Sequence, residues 1–94
     1  MSTQGGDGGS RRLKQSVNVV SSRVGEAGVL VHLLSNRIFE VNETGVRVWE
    51  LLGEGRSLDE IEERLQVEFS ENRERLRSDI QALVDALARE GLVE

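Results

Sequence analysis

Arg37-Ile38-Phe39-Glu40-Val41-Asn42-Glu43-Thr44-Gly45 is a strand that becomes a helix with no loop between them. Ile38, Phe39 and Val41 have the β-branched and aromatic character of a strand. Asn42 stands where a helix needs an N-cap, a side-chain oxygen that accepts an otherwise unpaired backbone N–H. Gly45 falls one turn into the helix, where a side chain would hold helix and strand apart. The junction therefore fixes how the helix docks on the strand and leaves the strand's other side as an edge.

Upstream, Val17 and Val19 alternate with polar neighbours, which predicts a strand over residues 16–24. Gly25-Glu26-Ala27-Gly28 is a turn pattern. Residues 29–34, Val-Leu-Val-His-Leu-Leu, predict a second strand, apolar on both faces, and Ser35-Asn36 a tight turn into the third strand, 37–41. Three strands joined by short turns predict an antiparallel meander. In the spatial order first, second, third, the third is an edge. Strand alternation puts Phe39 and Val41 on the core face, with Ile38 and Glu40 on the other.

Downstream, Val46, Trp49 and Leu52 recur at spacing three, with Gly45, Val48 and Leu51 flanking them, and make one broad apolar helix face over residues 43–52. Gly53-Glu54-Gly55 ends that helix. Ser57 opens a second helix, and Glu60 three residues on completes a capping box. Leu58, Ile61, Leu65 and Phe69 are its apolar positions. Asn72 caps a third helix carrying Leu76, Ile80, Leu83, Val84 and Leu87 at helical spacing. Gly91 is placed to terminate it in a left-handed conformation, with Leu92 folding back on the last turn. All the sheet precedes all the helices, so the fold class is α+β: a winged-helix-like arrangement of a three-stranded antiparallel sheet followed by three helices.

The chain has 94 residues, enough for one small domain with a modest core. Residues 1–15 hold four of the ten glycines and a single apolar residue after Met1, which is Leu13. They are expected to form a flexible N-terminal tail, and 16–94 the domain. Arg11, Arg12 and Lys14 make a small basic cluster in that tail. No apolar run approaches the roughly 20 residues of a membrane span, and the N-terminus has no apolar signal core, so a soluble, cytoplasmic protein is expected.

The residues for catalysis are few. There is no cysteine and only one histidine, His32, in mid-strand, so no second His and no Cys exist to complete a zinc site, and a structural or partly exposed role is expected for His32. Gly5-Gly6-Asp7-Gly8-Gly9 follows no strand, opens no helix and lacks the Lys-Ser/Thr of a phosphate loop. Asp59, Glu60, Glu62 and Glu63 are expected on the solvated face of the second helix. Neither an enzyme nor a cofactor is expected. A winged-helix DNA-binding regulator is the alternative, with residues 72–77 as its reading helix. Arg73, Arg75 and Arg77 cannot all share one helix face, and the net charge of −5 opposes phosphate binding. What remains is a peptide-binding module: an edge strand offers backbone N–H and C=O groups to an extended peptide.

The run Leu33-Leu34-Ser35-Asn36-Arg37-Ile38-Phe39-Glu40-Val41-Asn42-Glu43-Thr44-Gly45 resembles the characteristic block of PqqD-like proteins, small peptide chaperones of pyrroloquinoline quinone biosynthesis. The same fold serves as the recognition element that binds leader peptides of ribosomally made, modified peptides. The similarity continues through Trp49-Glu50-Leu51-Leu52, the helix start at 55–61, Ser78-Asp79-Ile80 and the closing 87–93, and covers about residues 17–94. The resemblance implies that a leader peptide adds as a further strand along the third strand. Its side chains would enter a groove between that strand and the third helix. Carried onto this chain, the site is Arg37, Ile38, Phe39, Glu40 and Val41 on the strand and Asp79, Ile80, Leu83, Val84 and Leu87 on the helix. The implied partners are the precursor's leader and a separate modifying enzyme, of radical SAM or peptidase/cyclase type. The chain itself is expected to be a monomer or weak dimer that binds no nucleic acid and no membrane.

Overall fold

The computed structural model describes residues 12–94; the glycine run at 5–9 and Arg11 lie outside the described residues. Three strands, β1 (Val19–Val24), β2 (Ala27–His32) and β3 (Arg37–Val41), precede three helices, α1 (Glu43–Gly53), α2 (Leu58–Phe69) and α3 (Arg73–Arg89). The sheet is antiparallel in the order β1-β2-β3, and α1 packs on β2 and β3 while α2 and α3 pack on each other and on α1. The α+β meander-then-helices architecture is as expected.

The helix ends follow the sequence closely, because caps are local chemistry. Gly45 N–H donates to Asn42 Oδ1 at 2.8 Å, and the Ser57–Glu60 capping box is complete, with both reciprocal bonds made. Asn72 Oδ1 accepts from Arg75 N–H at 3.1 Å. The far end of α3 is a Schellman motif: Gly91 takes φ 75°, Leu92 N–H donates to Leu87 O and Gly91 N–H to Ala88 O. Leu92 is thereby folded back and buried.

Strand boundaries follow less well. β1 starts at Val19, three residues later than the alternation suggested, and Val17 is exposed. β2 covers Ala27–His32, so Leu33 and Leu34 are not strand but turn, and both are exposed. The cause is Asn36, which adopts φ 60° and donates its N–H to His32 O at 2.8 Å, ending the ladder before the apolar run does. Gly28, taken as a turn glycine, lies inside β2. The Val46 side chain of α1 sits where its Cβ would be, so glycine there lets helix and sheet approach.

The register pairs Leu30 with Phe39 and Gly28 with Val41. These residues form the helix-facing side, where Leu30 is 2% exposed and Val19, Phe39 and Val41 pack against the core. Val20, Val31 and Ile38 are cross-strand partners on the other side, where Val20 and Ile38 are exposed. The core itself is mostly helical: Val48, Trp49 and Leu51 of α1, Ile61 and Leu65 of α2, and the inner stripe of α3.

Residues 12–15, assigned to the tail by composition, belong to the fold. Leu13 is buried in the core cluster. Lys14 and Glu94 exchange backbone hydrogen bonds at 3.2 and 2.7 Å, Ser16 N–H donates to Leu92 O, and Gln15 Nε2 donates to Trp49 O at 2.7 Å. The two ends of the described chain thus clasp each other beneath α1.

Glu62 is a second departure. It is buried rather than solvated, and it accepts from Arg73 Nε at 2.7 Å and Arg77 Nε at 2.8 Å. Arg77 foremost, with Arg73, holds its carboxyl below the usual carboxylate range against the opposing effect of burial. Arg73 and Arg77, one turn apart, thus pin the N-terminal half of α3 to α2. Two of the three arginines of the supposed DNA-reading helix, Arg73 and Arg77, are thus paired with Glu62.

Candidate peptide-binding site

The direction of each backbone group in β3 follows from one hydrogen bond. Leu33 N–H donates to Asn18 O at 2.7 Å, and this pair continues the β1–β2 register in which Val19 faces His32. Odd-numbered residues of β2 therefore spend their N–H and C=O on β1, and even-numbered ones on β3. Their partners Arg37, Phe39 and Val41 are committed to β2. The N–H and C=O groups of Ile38 and Glu40 point away from the sheet and meet no strand among the described residues. β3 thus presents one two-residue set of donors and acceptors, the pairing unit for an added strand.

Side chains take the opposite parity. Those of Ile38 and Glu40 lie on the outer face and are exposed. Those of Arg37, Phe39 and Val41 lie on the helix side. The Arg37 guanidinium stands 5.1 Å from the centroid of the Phe39 ring, close enough for a cation–π contact, and donates to Glu90 Oε1 at 2.7 Å. Glu90 caps the C-terminus of α3. This ion pair joins β3 to α3.

Glu90 also identifies the side of α3 that faces the strand. Stepping back by helical spacing from 90 gives 86, 83 and 79 on the same side. Ala86 and Leu83 are half-buried there, and Asp79 is exposed. Ile80, Val84 and Leu87 are at most 4% exposed and form part of the hydrophobic core, so they hold the helix in place instead of lining an open surface. Of the helix residues expected at the groove, Asp79 and Leu83 are on its accessible side. Ala86 and Glu90 stand on the same side of α3 and were not among the residues expected there. Periodicity from Asp79 would have supplied them, but only the contact with Arg37 shows that this stripe is the one turned to β3.

Other charged groups serve the fold. Arg47 donates to Glu68 and Glu50, and Glu50 also accepts from Arg23, which ties β1, α1 and α2 together at the opposite end of α1. These bonds hold the Glu50 and Glu68 carboxyls below their usual range. Among the described residues no cluster of His, Cys, Asp and Glu could hold a metal ion, and no helix is long and apolar enough to cross a membrane.

The family model described as Coenzyme PQQ synthesis protein D (PqqD) matches residues 27–93, from β2 to the clasp. The chain belongs to this family. Among solved structures, TbiB1 in complex with the TbiA(beta) leader peptide is 34% identical over 86% of this chain and 94% of that one, with a TM-score of 0.80. A lasso peptide synthetase B1 complexed with its leader peptide is 21% identical over 89% of this chain and 99% of that one, with a TM-score of 0.79, which shows the shared fold. No curated protein sequence matches the chain.

Proposed function

We propose that this chain is a non-catalytic adaptor that binds the leader of a ribosomally made precursor peptide by strand addition and presents the remainder to a modifying enzyme. The observation that carries the proposal is the open β3 edge, where Ile38 and Glu40 offer paired backbone groups beside the Asp79–Leu83–Ala86 stripe of α3. The membership in the PqqD family and the likeness to leader-bound TbiB1 support it. The leader pairs with Ile38 and Glu40, and its alternate side chains turn inward against Arg37, Phe39 and Val41 on one side and Leu83 on the other. Ile80, Val84 and Leu87 act from beneath, by fixing where α3 stands. Two or three buried apolar anchors on such an edge give micromolar to sub-micromolar affinity, about −8 to −10 kcal/mol. The enzyme served is of the radical SAM or peptidase/cyclase type, and the adaptor works in the cytoplasm as a monomer or weak dimer.

Nothing in the structure favours the DNA-binding alternative, and two of its three arginines, Arg73 and Arg77, are paired with Glu62. An amide chemical-shift titration with the TbiA(beta) leader tests the proposal. Saturable shifts centred on Ile38, Glu40, Leu83 and Ala86 are expected. Shifts confined to 72–78, or none, would overturn it.

A further inference from the structure

The Arg37–Glu90 pair stands where the inward side chains of an added strand would go. Arg37 and Phe39 are two apart on β3, so both side chains rise from the helix-facing side of the sheet. The Phe39 ring is only partly buried, and the Arg37 guanidinium lies over it at 5.1 Å. From there Arg37 reaches across to α3 and bonds Glu90 at 2.7 Å. A strand paired to Ile38 and Glu40 places its next inward side chain opposite Phe39, in the space this bridge spans.

We infer that Arg37 and Glu90 form a strap that closes one end of the groove in the empty protein, and that leader binding must open it. The inference rests on the adaptor reading and adds a regulatory part to it. The strap covers an apolar ring from water and keeps β3 and α3 from drifting apart while no peptide is present. The incoming leader side chain takes the place of the guanidinium on Phe39, and Arg37 swings outward into solvent. The strap therefore works as a selectivity filter. A leader with an aromatic or branched apolar side chain at that position regains on the Phe39 ring what is lost with the ion pair. A leader with a small or polar side chain there does not, and it binds over a closed strap with poor seating. Arg37 suits this use because its side chain is 61% exposed, so the released guanidinium is readily solvated, while Glu90 is held at the helix end.

The pair is exposed, so the effect is modest: cutting the strap should tighten leader binding about two- to fivefold, the worth of a surface ion pair. The experiment measures the affinity of fluorescein-labelled TbiA(beta) leader for wild type, Glu90→Ala and Arg37→Met at low salt and at 0.5 M NaCl. Both variants should bind more tightly than wild type at low salt, and the gap should narrow at high salt, where a screening length of ~4 Å weakens an exposed pair. A glycine scan of the leader should reveal one position at which the gain disappears, namely the residue opposite Phe39. Equal or weaker binding by Glu90→Ala would overturn the strap and leave the adaptor reading intact, as would weakened binding by Arg37→Met alone, which would make Arg37 a direct contact of the leader. If neither wild type nor variants bind the leader, both readings fall.

Discussion

Glu62 is 4% exposed, and its carboxylate accepts hydrogen bonds from two arginines of α3. Its neighbours Asp59, Glu60 and Glu63 are exposed, and on composition alone the four carboxylates look alike. Glu62 sits on the side of α2 that meets α3, where Arg73 and Arg77 both reach it. Glu62→Gln should destabilise the fold by about 1–3 kcal/mol in urea denaturation, because charged hydrogen bonds are lost at a buried position. Glu63→Ala should change stability by no more than about 0.5 kcal/mol. The pH dependence has a definite sign. A carboxyl held below its ordinary value of 4.5 contributes stability that is complete above that value and is lost as pH falls through the lower, folded one. Wild type should therefore lose stability below about pH 4.5, and Glu62→Gln should lose less over the same range, as acid titrations of the unfolding midpoint would show. Equal slopes would mean that the two arginines do not act through this carboxylate.

At the scale of the element, β3 does two jobs with alternate residues. Arg37, Phe39 and Val41 bind it to β2, and Ile38 and Glu40 face the open edge, where the adaptor reading places the leader. Proline substitution separates the jobs. Glu40→Pro removes an N–H that the sheet does not use, so leader affinity should fall at least about tenfold, by one backbone bond and the altered edge, while the fold survives with a lowered midpoint. Phe39→Pro removes a ladder donor and a core side chain together, and should unfold the domain by circular dichroism. If Glu40→Pro bound the leader as well as wild type does, the peptide would not be adding to this edge. The sequence showed the helices well and the strands less so, for a physical reason. Helix caps are read over three or four neighbours, as at Asn42, Ser57, Asn72 and Gly91. The end of β2 depends on a positive φ at Asn36, and hydrophobicity alone carried the strand on through Leu33 and Leu34. The open edge of β3 could be read from the sequence, and the stripe of α3 beside it only in part. Helical spacing orders residues into stripes, but which stripe meets the strand is decided by Arg37 and Glu90, 53 residues apart.

For the whole molecule, the clasp between residues 13–16 and 92–94 is the feature that composition hid. A single leucine among polar residues looks like part of a tail until its partners at the other end of the chain are known. Leu13→Ala should cost about 2–4 kcal/mol by thermal or urea unfolding, the usual penalty for truncating a core leucine, which is a large share of the stability of so small a domain. A cost under about 0.5 kcal/mol would show that the segment lies on the fold without supporting it. The clasp also bears on the groove from a distance, because Leu92 and Val93 follow directly from α3 and are held by it. Its geometry has a further consequence. Lys14 and Glu94 are adjacent in space, so a short linker from Glu94 to Arg12 would close residues 12–94 into a ring across the clasp. That ring could be reopened at the Gly25 turn, where an added Cβ would touch nothing within 4 Å. The order of elements along the chain would change while the contacts outside that turn stayed in place, so the fold of residues 12–94 rests on those contacts and not on the order in which its elements follow one another.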